Sequence, residues 1–323
     1  MCINGRLLQK DKAMIGHQRQ LQLLDMYVHS GTMSHAYLFT GPRHVGKLTM
    51  ARVVVAALLC EKKGTGTGLL FSCSACNACR LARAGTHPDI YTVDAEEREE
   101  HPLRLEDIQR LRERAALSAY GGTHIFFIRD VSRVTREAAN ALLKVLEEPR
   151  GNVVFFLLAS VVGDVLPTIQ SRCAHVRFWP LSEDVLSAGL QSEHRVKEET
   201  ALLAARLSRG LAGVAFRLAS SPEQLKTEAQ EQEHIATLLD ASIAERMNYA
   251  EKLREKPEAM REWFTKSITT LAGTVHAALQ KPDGRPVVAA DACRLLMERE
   301  EQFLKPYGVK RILFEDALIQ LET

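Results

Sequence analysis

The chain has 323 residues, enough for two or three domains of ordinary size. Apolar residues make up 46% and charged residues 25%, the balance of a soluble globular protein. A formal net charge of +2 excludes a strongly basic nucleic-acid wrapper. The charge is uneven: residues 1–180 carry 23 Lys and Arg against 17 Asp and Glu, and the remainder carries 19 against 23. A mildly basic front permits contact with nucleic acid. The polar start, MCINGRLLQKDKAM, is unlike a signal peptide. The longest apolar run, Val153–Val162, falls far short of the ~20 residues of a membrane span. These features place the protein in the cytoplasm, away from membranes. There, seven cysteines are expected as thiols or metal ligands rather than disulfides.

In chain order, HAYLFT (His35–Thr40) predicts a buried strand that ends at a glycine loop, GPRHVGKLT (Gly41–Thr49). TMARVVVAALLC (Thr49–Cys60) has helical length, and strand, glycine loop, helix is the setting a phosphate-binding loop requires. A Gly/Thr-rich link, KKGTGTG (Lys62–Gly68), leads to a cysteine cluster. Leu105–Leu117 spaces Ile108, Leu111 and Ala115 at three and four residues, which predicts an amphipathic helix. HIFFIRD (His124–Asp130) predicts a second buried strand. The segment Thr135–Pro149 opens on a capping-type Thr135, stops at proline and aligns Ala138, Leu142, Val145 and Leu146 in one stripe. NVVFFLLAS (Asn152–Ser160) predicts a third strand. Strands alternating with helices predict a parallel sheet covered on both faces. Past Pro180 only helical patterns appear: a short module over Glu198–Ser220 broken at Gly210, a linker at SSPEQ, then helices interrupted by KPDGRP (Lys281–Pro286).

Cys60, Cys73, Cys76 and Cys79 read C-x12-C-x2-C-x2-C. Zinc takes four soft ligands in a tetrahedron, and thiolates suit it. The last three cysteines fall near one face of a helical turn, and Cys60, at the end of the preceding helix, closes the site. Four protein ligands leave no open position, so such a zinc is structural. Two other readings stay open: four reduced cysteines, and an iron–sulfur cluster, whose signature also begins C-x2-C-x2-C but continues to Cys-Pro. Cys2, Cys173 and Cys293 stand apart and read as ordinary thiols.

Gly41-x4-Gly46-Lys47 keeps the loop glycines and the lysine, so backbone amides and the helix start can cradle phosphates. The same glycines also suit a plain turn without ligand. Leu48 removes the hydroxyl that would hold magnesium, and Thr49 comes one residue late, about 100° further round a helix. The second strand should end in paired acids. It ends IRDV, with Asp130 between Arg129 and Val131, and an arginine repels a divalent cation. Magnesium-dependent hydrolysis needs both missing parts, so turnover is expected to be negligible while ATP or ADP binding stays open. After the third strand, LPTIQSRC carries Arg172, readable as a solvated arginine or as an arginine finger for a neighbour's site.

HAYLFTGPRHVGK, the four cysteines, GTHPD (Gly85–Asp89), AANALLKVLEEP and LPTIQSRC occur in one order. In that order they resemble the delta-prime subunits of the bacterial DNA polymerase III clamp loader, AAA+ proteins related to gamma/tau. The resemblance is dense over roughly residues 15–180 and thinner beyond. YGVKRILFEDAL (Tyr307–Leu318) only loosely resembles the family's last helix.

The resemblance implies an α/β architecture: an AAA+ P-loop-like parallel-sheet domain over residues 1–180 with a zinc module at about 60–79. A small helical lid over 181–222 and an all-α C-terminal collar for oligomerisation over 223–323 would follow. It implies structural Zn2+ on Cys60, Cys73, Cys76 and Cys79. It makes Gly41, Gly46, Lys47 and Thr49 a degenerate phosphate loop, and Arg172 a finger acting in trans on an adjacent gamma/tau ATP site. Expected partners are gamma/tau and delta subunits, the sliding clamp and primer–template DNA. The implied role is help in loading the clamp onto primed DNA, as an accessory subunit of the DNA polymerase III holoenzyme without catalysis alone. The chain departs from active relatives: Arg129 stands for the metal-binding acid, Asp130 for the catalytic glutamate, Ser160-Val161 for a Thr-Asn sensor and Val214 for a sensing arginine. Those losses favour delta-prime over the alternative of a working gamma/tau-like ATPase. A second alternative, a zinc DNA-binding module, has few basic residues beyond Arg80 and Arg83 in the cysteine segment and no stacking aromatic beyond Phe71.

Overall fold

The computed structural model describes residues 14–62, 69–94, 102–149, 151–239, 241–253, 256–279, 286–303 and 310–320. Cys2, the Gly/Thr-rich link from residue 63, most of KPDGRP and the start of the Tyr307 segment lie outside them. The chain divides between Ser220 and Ser221 into two units.

The first unit begins with α1 (Gln18–Ser30), β1 (Ala36–Thr40), α2 (Lys47–Leu59), α3 (Asn77–Ala84), β2 (Ile90–Asp94) and α4 (Leu105–Ala115). It continues with β3 (His124–Arg129), α5 (Arg136–Glu147), β4 (Val153–Ala159), α6 (Pro167–Gln170) and β5 (Ala174–Arg177). The described strands form one parallel sheet in the order β2-β3-β4-β1-β5. Every parallel neighbour demands a crossover, and the helices between strands supply it. Strand periodicity sends successive side chains to opposite faces. Tyr37, Phe39, Ile125, Phe127, Val154 and Phe156 pack beneath α1 and α2, whereas Leu38, Phe126, Ile128, Phe155 and Leu157 pack beneath α4 and α5. That double burial is why β1, β3 and β4 read as unbroken apolar runs.

Two strands escaped the sequence pattern. IYTVD of β2 and AHVR of β5 lie at the sheet edges, are mostly half-buried or exposed, and carry polar residues a central strand would exclude. The helical predictions were closer. Ile108, Leu111 and Ala115 are buried on α4, and the Thr135 hydroxyl caps α5 by accepting from the Ala138 N–H.

Three helices complete this unit: α7 (Glu183–His194), α8 (Glu198–Ser208) and α9 (Ala212–Ser220). Gly210 separates the last two at φ +84°, and a Cβ there would meet Pro180 at 2.6 Å and the Leu181 backbone at 2.8 Å. Only glycine turns this corner.

The second unit comprises α10 (Pro222–Leu239), α11 (Ile243–Lys252), α12 (Pro257–Leu279), α13 (Pro286–Phe303) and α14 (Lys310–Gln320). Trp263, Phe264, Phe303 and Phe314 form its aromatic centre. Arg246 is 1% exposed, donating from Nε to the Leu238 carbonyl at 3.1 Å and from Nη1 to the Leu318 carbonyl at 3.3 Å. One guanidinium therefore satisfies carbonyls at the ends of α10 and α14, which helices leave without partners. No described helix is long and apolar enough to cross a membrane.

Replacing Arg246 by alanine removes both hydrogen bonds and leaves a cavity. A loss of about 2–4 kcal/mol is expected in urea denaturation followed by circular dichroism. A change below about 0.5 kcal/mol would show that this staple is dispensable.

Candidate nucleotide cleft and metal centre

The carboxyl end of β1 leads straight into the glycine loop. Gly41 takes φ +144° against Phe178, whose carbonyl oxygen a Cβ would approach at 2.3 Å. His44 and Gly46 also have positive φ, 62° and 120°. Three such turns coil the loop before α2, whose first-turn amides have no intrahelical acceptor. The loop is tied down from three directions. His17 Nε2 donates to the Val45 carbonyl at 3.0 Å, and its ring stands edge-on to Phe178. Burial pushes the His17 pKa below its ordinary value, favouring the neutral ring. The Gly213 N–H of α9 donates to the His44 carbonyl at 2.7 Å. Lys47 Nζ donates to the carbonyls of Gly41 and, at 2.8 Å, Pro42. Leu48 packs on the core shared by α1 and α2, so the residue in the magnesium-ligand position serves packing. Thr49 is half-buried beside it.

The end of β3 departs equally from a metal site. Arg129 is ion-paired with Asp94 at the end of β2. Asp130 turns out of the strand at φ 59°, is buried, accepts from the Ser132 hydroxyl and lies 3.5 Å from Arg43 of the glycine loop. Arg52, one helical turn beyond Leu48, is pushed down to about 10 by burial, with Arg129 adding repulsion. Arg43 and Arg129 thus each meet a carboxylate, Asp130 and Asp94, with Arg52 close enough to Arg129 to be repelled by it. Sequence reasoning found Lys47, Arg129 and Asp130 but missed Arg43, Arg52 and Asp94. The signals were faint: an arginine inside the loop, another at i+4 from Leu48, and an acid ending an unrecognised strand.

Arg172 follows α6. Its Nη1 donates to the Thr168 carbonyl at 2.9 Å and the Ser171 hydroxyl at 3.2 Å, and its Nη2 is paired with Glu147 at the end of α5. The side chain is 34% exposed. Ala174 pairs with Tyr37 near the start of β1, so Arg172 lies at the opposite end of the strands from the glycine loop of its own chain. Burial pushes the neighbouring Cys173 thiol up to about 12, disfavouring the thiolate.

The four clustered cysteines converge. Cys60 caps the end of α2, Cys76 caps the start of α3, Cys79 lies in its first turn and Cys73 sits on the approach. Their sulfurs all lie within 4.8 Å of one another. A tetrahedron with bonds of about 2.3 Å has edges of about 3.8 Å, so small adjustments suffice to enclose a metal. Amides point at the sulfurs: Cys73 N–H to Cys60 Sγ at 3.3 Å, Cys76 N–H to Cys73 Sγ at 3.3 Å, and Cys79 N–H to Cys76 Sγ at 3.4 Å. Donors from Ala75 and Cys76 pull the Cys73 pKa down to about 6, while burial pushes Cys79 up. Four sulfurs and no carboxylate fit a soft ion.

The family model described as DNA polymerase III, delta subunit, matches residues 16–182. DNA polymerase III subunit delta' of Escherichia coli K12 is 27% identical over 315 residues, 91% of this chain and 90% of that protein. The Pseudomonas aeruginosa subunit delta' is 38% identical over 141 residues, which is 43% of this chain and 42% of that protein. The E. coli subunit tau is 36% identical over 187 residues, 57% of this chain and 27% of that protein. The matches thus span less than half of the Pseudomonas protein and of tau. A solved Thermotoga maritima protein, described as DNA polymerase III gamma subunit-related, aligns over 94% of this chain and 98% of its own. Its TM-score is 0.53 at 15% identity, a likeness of fold.

Native mass spectrometry is expected to find one metal ion per chain, and Cys76→Ser is expected to lose it and to lower the melting temperature. Four freely titrating thiols in the untreated protein would overturn the metal centre.

Proposed function

The chain belongs to the DNA polymerase III delta-prime family, and from that premise we propose a hydrolytically silent clamp-loader subunit that lends Arg172 to a neighbour's ATP site. The observation carrying the reading is the Arg129–Asp94 ion pair, set where a working ATPase gathers acids around magnesium. Leu48, packed against the core, offers no second ligand. A cation in that place opposes the divalent ion that would polarise the γ-phosphate. Gly41, Gly46, Lys47 and Thr49 are then a degenerate phosphate loop that can accept nucleotide without turning it over.

Arg172 suits service to another chain. Its pairing with Glu147 is partly solvent-exposed, and such pairs contribute at most about 1 kcal/mol. A developing phosphate charge in a water-poor cleft competes easily with that carboxylate. The surrounding connection also exposes Val161 and Leu166, apolar residues suited to a protein contact.

The four cysteines would hold structural zinc, tying the end of α2 to α3. Helices α7–α9 would act as the lid and α10–α14 as the oligomerising collar. In this reading the partners are gamma/tau and delta subunits, the sliding clamp and primed DNA, all cytoplasmic. The rival reading, a gamma/tau-like ATPase, requires ligands that Leu48 and Arg129 do not provide.

Two measurements test the proposal. The isolated protein with Mg-ATP should release no phosphate above background, and release abolished by Lys47→Ala would overturn silence. In a loader rebuilt with its partner subunits, Arg172→Ala should slow hydrolysis at the receiving site by about 10³-fold or more. An unchanged rate would remove the finger.

A further inference from the structure

GTHPD takes no part in the chemistry above, yet its aspartate organises a second feature. Asp89 is buried, accepts from the Tyr120 N–H at 2.8 Å and from the Gly121 N–H, and lies 3.8 Å from His124 Nδ1. The other ring nitrogen of His124, Nε2, donates to the Leu117 carbonyl at 3.0 Å. His87 packs its ring edge-on against Tyr120 at 6.3 Å. Two buried polar side chains therefore fix the backbone of the connection from α4 to β3 at three points. That rigid connection holds its two large apolar side chains in solvent: Leu117 is 66% exposed and Tyr120 69%. Exposure of this kind on an immobilised loop is a mark of recognition.

Beneath these residues lies a cavity of about 210 Å³. Pro88, Tyr91 and Phe126 line it, and Leu117, Tyr120 and Arg114 stand around it. Its volume falls below the 300–1,000 Å³ typical of cofactor sites and suits one large side chain. The Arg114 guanidinium lies 5.0 Å over the Tyr91 ring, so the cation is held in place by its aromatic neighbour. Arg110, one turn earlier on α4, extends the positive charge along the same side. Asp89 offers an incoming ligand little negative charge, because its oxygens already face two amides and His124.

We propose that this cavity is a docking site for an acidic segment of a partner protein, which inserts one leucine or phenylalanine while its carboxylates meet Arg114 and Arg110. The charge and the size of the cavity argue for this occupant. Single-stranded nucleic acid would want an open, repeated stacking surface, whereas this site is one recess with Arg114 already covering Tyr91.

The test uses the full chain and four fluorescent probes read by anisotropy. They are a twelve-residue Asp/Glu peptide with a central phenylalanine, the same peptide with central alanine, its lysine-flanked counterpart and a twelve-nucleotide single strand. The acidic phenylalanine peptide should bind at least about tenfold tighter than the other three, and Tyr120→Ala and Arg114→Glu should each weaken it about fivefold or more. Amide resonances of Leu117 and Tyr120 should shift on binding. Both substituted residues are exposed, so the variants should fold, which circular dichroism verifies. Absent binding, equal binding by the alanine peptide, indifference to both substitutions, or displacement of the peptide by the oligonucleotide would each overturn the proposal.

Discussion

The ion pair between Arg129 and Asp94 is what the proposed function depends on first. It joins the ends of two adjacent parallel strands at the sheet edge where α/β proteins bind ligands. An arginine paired with a carboxylate keeps its charge at neutral pH. It therefore keeps a cation at the end of β3, with Arg43 reaching Asp130 and Arg52 close enough to repel Arg129. What remains of the phosphate loop is geometry: positive-φ turns, a helix start and a lysine folded back onto its own loop. That geometry, with a cation at the end of β3, is what the proposed hydrolytically silent role rests on.

The sequence revealed most where burial forces a simple pattern. β1, β3 and β4 stood out because both faces are covered, leaving no polar position to interrupt them. β2 and β5 did not, since an edge strand half open to water tolerates threonine, aspartate, histidine and arginine. Helix α5 announced its start through Thr135 and its stop through Pro149, both local effects. The cysteines were legible through their spacing, and the fold brings the four sulfurs within reach of one another.

What could not be read were pairings across long stretches of chain. Arg129 looked like a missing acid; only the fold shows Asp94 waiting for it, 35 residues earlier. Asp130 looked like a surviving catalytic remnant, yet it turns away from the strand toward Ser132 and Arg43. The motif GTHPD carried no legible role, because Asp89 acts on backbone amides about thirty residues downstream. Each of these depends on tertiary proximity, which neither periodicity nor local spacing encodes.

One hydrogen bond has a mechanical meaning. The Gly213 amide grips the His44 carbonyl at 2.7 Å, and a methyl group on Gly213 would already press that oxygen at 3.0 Å. Helix α9 and the glycine loop are therefore joined backbone to backbone at close range. Any side chain larger than hydrogen at residue 213 would therefore push the helix and the loop apart at the backbone bond that joins them.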